Sequence, residues 1–276
     1  FRLTPASRVL TLGSCFAQHI GQHIAAALPD GHALVNPFGP LYAPQVIAHH
    51  LRLLLDTAPL PDATYFEGVE GLWHNRWFST HVSSAELATC RRLTATALDA
   101  ARNLLRRADV LVLTLGTDRC YRLPDGRLVA NCHKQPAAAF TEHTADVETL
   151  TSDLRRALDS LRALRPELQV VWTVSPYRYA KYGLHASQLA KARLLLAVDA
   201  LCATDERSVY FPAYELLLDE LRDYRYYARD LLHPSDTAVE FIGERFADWC
   251  FAPALHAFAR ERARLLRAHQ HRPLHP

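Results

Sequence analysis

Arg8-Val-Leu-Thr-Leu-Gly-Ser-Cys-Phe-Ala17 packs a strand, a turn and the start of a helix into ten residues. Arg8 to Leu12 is a short apolar run of the kind that forms a buried strand. Beyond it Phe16, Ile20, Ile24 and Leu28 fall four apart, on one face of a helix spanning Phe16 to Leu28. Little more than Gly13, Ser14 and Cys15 separates the two patterns, so the strand feeds straight into the helix. That is the opening of a βα unit.

Outward from this unit the alternation continues. His32 to Val35 is a short second strand running into Asn36-Pro-Phe-Gly39, and Gln45 to Leu55 is helical. Residues 57–84 turn irregular and aromatic (Tyr65, Phe66, Trp73, Trp77, Phe78), as an insertion over one face would. A helix from Ala85 to Arg107 leads into Asp109-Val-Leu-Val-Leu-Thr-Leu115, a continuous apolar run that reads as a buried parallel strand. Cys120 to Cys132 forms a hairpin around the turn Pro124-Asp125-Gly126. Helices over Ala145 to Leu164 and Ala186 to Cys202 then alternate with strands at Val170 to Val174 and Ser208 to Phe211. A last helix starts near Ser235 and breaks at Pro253, with a helical extension over 253–276. The pattern predicts one α/β domain over residues 1–276, with a mostly parallel sheet of about five strands.

Composition narrows the function classes. The 276 residues carry 31 Lys and Arg against 29 Asp and Glu, a net charge of +2, which gives no electrostatic footprint for a nucleic-acid partner. No apolar run approaches the ~20 residues of a membrane helix, so a membrane partner is not expected. The six cysteines are scattered without a CxxC pair or zinc-type spacing, which points to reduced core thiols and a cytoplasmic setting. The chain begins at Phe1 and contains no methionine. Only 10 residues are glycine, so each is expected to answer a backbone need.

In an open α/β sheet, ligands bind at the carboxyl ends of the strands. The first strand ends in Gly13-Ser14-Cys15, where the Ser14 hydroxyl stands at the sheet edge and its N–H at a helix N-terminus suits an oxyanion. The simpler role for Ser14 is a helix N-cap. Late in the chain, Asp230-Leu-Leu-His233-Pro234 puts a histidine in a loop, since Pro234 disfavours helical geometry at His233. Asp230 can accept from His233 Nδ1–H and leave Nε2 as a base.

A serine after the first strand together with a C-terminal Asp-x-x-His resembles the SGNH (GDSL-like) hydrolases. More specifically the chain resembles the GSCFA family, whose motif stands here as Gly13-Ser14-Cys15-Phe16-Ala17. The resemblance runs from about residue 8 to about 250. It includes Asn36-Pro37-Phe38-Gly39, Leu115-Gly116-Thr117, Asn131-Cys132-His133-Lys134-Gln135-Pro136, Thr173-Val174-Ser175-Pro176, Gly183-Leu184-His185 and His233-Pro234-Ser235-Asp236.

The resemblance implies a flavodoxin-like three-layer α/β/α sandwich and a triad of Ser14 as nucleophile, His233 as base and Asp230 as its orienter. Gly39 would supply a second oxyanion N–H. Gly116-Thr117-Asp118 stands where the wider group carries Gly-x-Asn, so the third donor would come from Thr117, Asn36 or the Asn131-Cys132-His133 segment. Arg178, His133, Lys134 and His185 are candidates for binding an anionic or sugar-like group, or are solvated loop residues. His133 and His185 lack a third ligand, so no metal is expected. Cys15 is assigned to packing, because one residue further on it would rotate into the helix. Tyr210, Phe211, Tyr214, Tyr224, Tyr226 and Tyr227 are read as core and interface packing, the alternative being an aromatic wall facing sugar rings or acyl chains. The expectation is a cofactor-free serine esterase acting on a small-molecule or glycan ester. An O-acyltransferase with the same triad and an inactive SGNH-like binding module are the alternatives.

Overall fold

The computed structural model describes residues 1–270. In chain order β1 (Val9–Gly13), α1 (Cys15–Ala27), β2 (Ala33–Val35) and α2 (Pro44–Leu55) come first. The hairpin β3 (Tyr65–Glu67) and β4 (Trp73–Asn75) follows, then α3 (Leu87–Leu105) and β5 (Val110–Leu115). Three antiparallel strands, β6 (Arg119–Arg122), β7 (Leu128–Val129) and β8 (Thr141–Thr144), precede α4 (Val147–Leu164) and β9 (Gln169–Val174). The chain ends with α5 (Leu184–Cys202), β10 (Ser208–Tyr210), the short α6 (Ala213–Glu215) running into a π-helical turn, α7 (Asp236–Cys250) and α8 (Pro253–Gln270).

The main sheet has the order β10-β9-β5-β1-β2, and each pair in it is parallel. Counted within the sheet this is the flavodoxin-like order 2-1-3-4-5, whose reversal of direction lies between β1 and β5. The period of two along each strand divides the core into two. Leu10, Leu12, Leu111, Leu113, Leu115, Val170, Trp172 and Val174 face one side, packed with α2 to α5. Val9, Val110, Val112 and Val171 face the other, packed with α1, α7 and α8. Strands covered on both faces are apolar at consecutive positions, which is why they read as continuous runs.

Two segments depart from the expectation. Within residues 57–84 the aromatic stretch contains an ordered hairpin, with Tyr65 opposite Asn75 and Glu67 opposite Trp73. Strand β8, Thr-Glu-His-Thr, is mostly exposed and polar and joins β6 through its backbone, so it has no apolar alternation to find. The helix break falls at Pro253 as expected; the end of the predicted 253–276 extension, from residue 271, lies outside the described residues.

At the carboxyl edge, Gly13 has φ +148°, and a Cβ there would meet Thr114 O at 2.3 Å. Only glycine permits β1 to approach β5 this closely while turning into α1.

Candidate active site

Four connections rise from the carboxyl ends of the sheet and enclose a cleft of about 590 Å³. Tyr42 comes from the β2–α2 loop, Thr117 to Phe140 from the insertion after β5, Tyr177 to Lys181 from the loop after β9, and His233 from the loop before α7. Cys15, the first residue of α1, and Val46 of α2 also line it. This edge holds the point where the strand order reverses, the expected ligand position for such a sheet. A groove of about 600 Å³ opens at the opposite edge, but its arginines are already engaged, Arg162 with Asp205 and Arg207 with Glu167.

The Asp230–His233 pair forms as expected. Asp230 Oδ2 lies 2.6 Å from His233 Nδ1, and Asp230 Oδ1 accepts from the N–H groups of Leu232 at 2.9 Å and His233 at 3.0 Å. The bond to His233 and those two backbone donors hold the Asp230 carboxyl at about 2. Leu231, at φ +58°, makes the turn that closes this loop. The loop is tied down on both sides: Arg178 N–H donates to Leu232 O at 3.0 Å, and Ser235 caps α7 by accepting from Ala238 N–H. The Tyr177 ring lies 4.4 Å from the His233 ring and fixes its tilt.

Ser14 does not stand open to the cleft as the sequence reading placed it. Ser14 is 1% exposed, does not line the cleft, and its Oγ is buried without a hydrogen-bond partner. It stands at the N-cap position of α1 but makes no side-chain cap. Its N–H is spent on Thr114 O at 3.0 Å, and Asn36 Nδ2 donates to its carbonyl at 3.2 Å. Cys15, expected to turn away into the helix, instead shares the cleft with His233. The reason is where the helix begins: with Ser14 still in extended backbone, Cys15 is the first helical residue and points off the end. Burial pushes its thiol up, while the Phe16 N–H, the Lys191 charge and its own N–H draw it down. The thiol thus faces two backbone donors at a helix N-terminus.

The other expected residues divide. Thr117 and Asn131 line the cleft, with Asn131 Oδ1 accepting from His133 N–H at 2.8 Å. Gly39 N–H is committed to Asn36 O, and Gly116 and Thr117 N–H both donate to Tyr42 O, so these groups are turn-forming and not oxyanion donors. Asn36 and Gly39 line an adjoining cavity of about 440 Å³ on the other side of Cys15, with Gln18, His19 and His81. Asp118 is buried against Arg193 at 2.7 Å.

His133 is buried against His74 and Phe66, with Nε2 on Asn75 O, and burial holds it neutral at about 4. Lys134 is exposed and paired with Glu70 at 3.0 Å. His185 is exposed on α5 and lines neither cavity. Arg178 stacks on Tyr227 at 3.9 Å, behind the His233 loop. These four are support or surface; of the Tyr210–Tyr227 aromatics Phe211, Tyr214 and Tyr227 are buried as expected, with Tyr214 bonding Gln188 and Tyr210 bonding Glu215, whereas Tyr224 is exposed.

The residues the sequence did not single out are the walls. Tyr42, Tyr121, Phe140, Tyr177 and Tyr179 supply rings, and Arg119, Lys181 and Gln135 supply polar groups. Arg119 pairs with Glu142 at 2.5 Å over the Tyr182 ring, and Lys181 donates to Tyr121 OH at 3.0 Å. Among the described residues no cluster of three His, Cys, Asp or Glu side chains is arranged to hold a metal ion, and no helix is long and apolar enough to cross a membrane.

The model of the GSCFA family matches residues 8–246. No curated protein sequence matches the chain. Among solved structures, an acetyl esterase variant with acetate ion has 11% identity and a TM-score of 0.41, over 92% of this chain and 99% of that one. A carbohydrate esterase family 3 protein from Talaromyces cellulolyticus has 12% identity and a TM-score of 0.38, over 92% and 99%. An acetyl xylan esterase from Butyrivibrio proteoclasticus has 13% identity and a TM-score of 0.39, over 88% of this chain and 63% of that one. These likenesses are distant, and the fold stands on the chain's own strand order.

Proposed function

The chain belongs to the GSCFA family, and from the geometry of its cleft we propose that it is an SGNH-type ester hydrolase whose nucleophile is Cys15. The observation that carries this reading is that Cys15 lines the cleft with His233 while Ser14 is buried beneath it. The Cys15 sulfur, its proton taken by His233 Nε2, attacks the ester carbonyl. Asp230 holds the imidazole by Nδ1 and stabilises the charge it gains. The N–H groups of Cys15 and Phe16, at the positive end of α1, bear on the Cys15 sulfur and are the donors assigned to the developing oxyanion. The alkoxide leaves with the proton from His233, giving a thioester on Cys15. His233 then deprotonates water, which attacks the thioester and restores the thiol.

The walls support a sugar ester as substrate. Aromatic faces suit the apolar faces of pyranose rings, and Asn131, Gln135, Arg119 and Lys181 offer donors to hydroxyl or anionic groups. The cavity beyond Cys15 favours a second reading, an O-acyltransferase in which an acceptor hydroxyl replaces water.

Brief exposure to p-nitrophenyl acetate at mildly acidic pH, followed by peptide mass mapping, tests the covalent step. The acetyl group is expected on the peptide at Cys15. Its appearance on Ser14, or its absence from both under burst conditions, contradicts the proposal. Acetylated glycan formed when an acceptor is added would select the transferase.

A further inference from the structure

Cys15 lines two cavities, and the hydrolysis above uses only the cleft that it shares with His233. The second cavity, of about 440 Å³, holds an imidazole of its own, that of His81. Ser79 Oγ lies 2.5 Å from His81 Nδ1, and Ser79 N–H donates to Phe38 O at 2.9 Å, which ties the segment carrying His81 to the Asn36–Gly39 turn. Gly39, at φ +80°, makes room for this pair: a Cβ there would run into Ser79 Oγ and come within 2.9 Å of His81 Cε1. With Nδ1 engaged and the residue exposed, Nε2 is the ring nitrogen left open. Asn36 brings a second unspent group to the same cavity. Its Nδ2 goes to Ser14 O, and its Oδ1 is buried without a partner. A buried acceptor left without a donor is costly, and a hydroxyl group answers it. Among the described residues no Asp, Glu, Lys or Arg lines this cavity, so it suits a neutral polar molecule.

Resting on the assignment of Cys15 as nucleophile, we propose that this cavity is the acceptor subsite of an acyl transfer, that it takes a neutral sugar or polyol, and that His81 is the base for the acceptor. His81 Nδ1–H donates to Ser79 Oγ, and Nε2 takes the proton of the attacking hydroxyl. A neighbouring hydroxyl of the acceptor donates to Asn36 Oδ1. The acceptor oxygen bonds to the acyl carbon of the Cys15 thioester, and the C–S bond breaks with its electron pair left on sulfur. The proton then passes from His81 to that sulfur and restores the thiol. His233 thus serves acylation in the cleft, and His81 serves transfer in the second cavity. An anionic acceptor meets no cationic Lys or Arg there among the described residues.

The partition of the acetyl-enzyme reads this directly, as the ratio of acetylated sugar to acetate formed from p-nitrophenyl acetate when methyl β-glucoside is added. In wild type the ratio is expected to rise with glucoside concentration, and to be at least about tenfold lower with methyl β-glucuronide at the same concentration. His81→Phe, which fills the cavity and removes the base, is expected to lower the glucoside ratio at least about tenfold. Acetate alone from wild type, equal ratios with glucoside and glucuronide, or equal ratios in wild type and folded His81→Phe overturns the proposal; the comparison of the two sugars needs no variant. A second arm needs no turnover: methyl β-glucoside is expected to protect Cys15 from iodoacetamide in wild type and to protect it less in His81→Phe. Equal protection in both, or none in either, also overturns it. If the ratio responds to His81 but Cys15→Ala still releases p-nitrophenol, the nucleophile assignment fails and the acceptor cavity stands.

Discussion

Ser14 and Cys15 are consecutive residues, about 100° of rotation apart once a helix has begun. Which of them faces the cleft depends on whether Ser14 belongs to the helix or precedes it, and a sequence pattern fixes a helix start only to within a residue or two. The Asp230–His233 pair was legible because its geometry is local: a short loop before Pro234 brings a carboxylate to Nδ1 three residues on. The Asp230 carboxyl is depressed to about 2 against an ordinary ~3.9. A depressed acid contributes stability above its unfolded value and loses it as the pH falls through its folded value. The difference in urea midpoint between wild type and Asp230→Asn is therefore expected to shrink as the pH falls from about 4 to 2. A difference that is unchanged down to about pH 2.5 contradicts the bonding described for Asp230.

At the scale of elements, the three central strands β1, β5 and β9 were readable because they are buried on both faces, and the helices because most carry an apolar stripe. Strand β8 and the hairpin β3–β4 were not, since short strands of mixed or polar residues are specified by backbone pairing with a neighbour and not by side-chain period. The cleft walls were invisible because Tyr42, Tyr121, Phe140 and Tyr177 come from three connections far apart in sequence and meet only through the fold. The junction of β1 and α1 is the element on which the site depends. Gly13→Ala would force a Cβ to within 2.3 Å of Thr114 O, a clash with backbone that no rotamer relieves. We expect it to cost about 3 kcal/mol or more in a urea titration. A midpoint within experimental error of wild type would mean that β1 and β5 are not this close.

For the whole molecule, the order β10-β9-β5-β1-β2 explains why residues from both ends of the chain share one cleft. Cys15 follows the first strand of the sheet and His233 follows the last, and both stand above the point where the strand order turns back. Two apolar layers, one on each face, hold that edge in place, and Asn36 and Lys191 pin the connections that carry the chemistry. The central claim is that this edge presents a thiol, not a hydroxyl. Steady-state hydrolysis of p-nitrophenyl acetate by Cys15→Ala and Ser14→Ala, with folding checked by circular dichroism, tests it most directly. We expect Cys15→Ala to lose at least about 10³-fold in kcat/KM and Ser14→Ala to stay within about tenfold of wild type. Loss of activity in Ser14→Ala with Cys15→Ala still active would contradict the account.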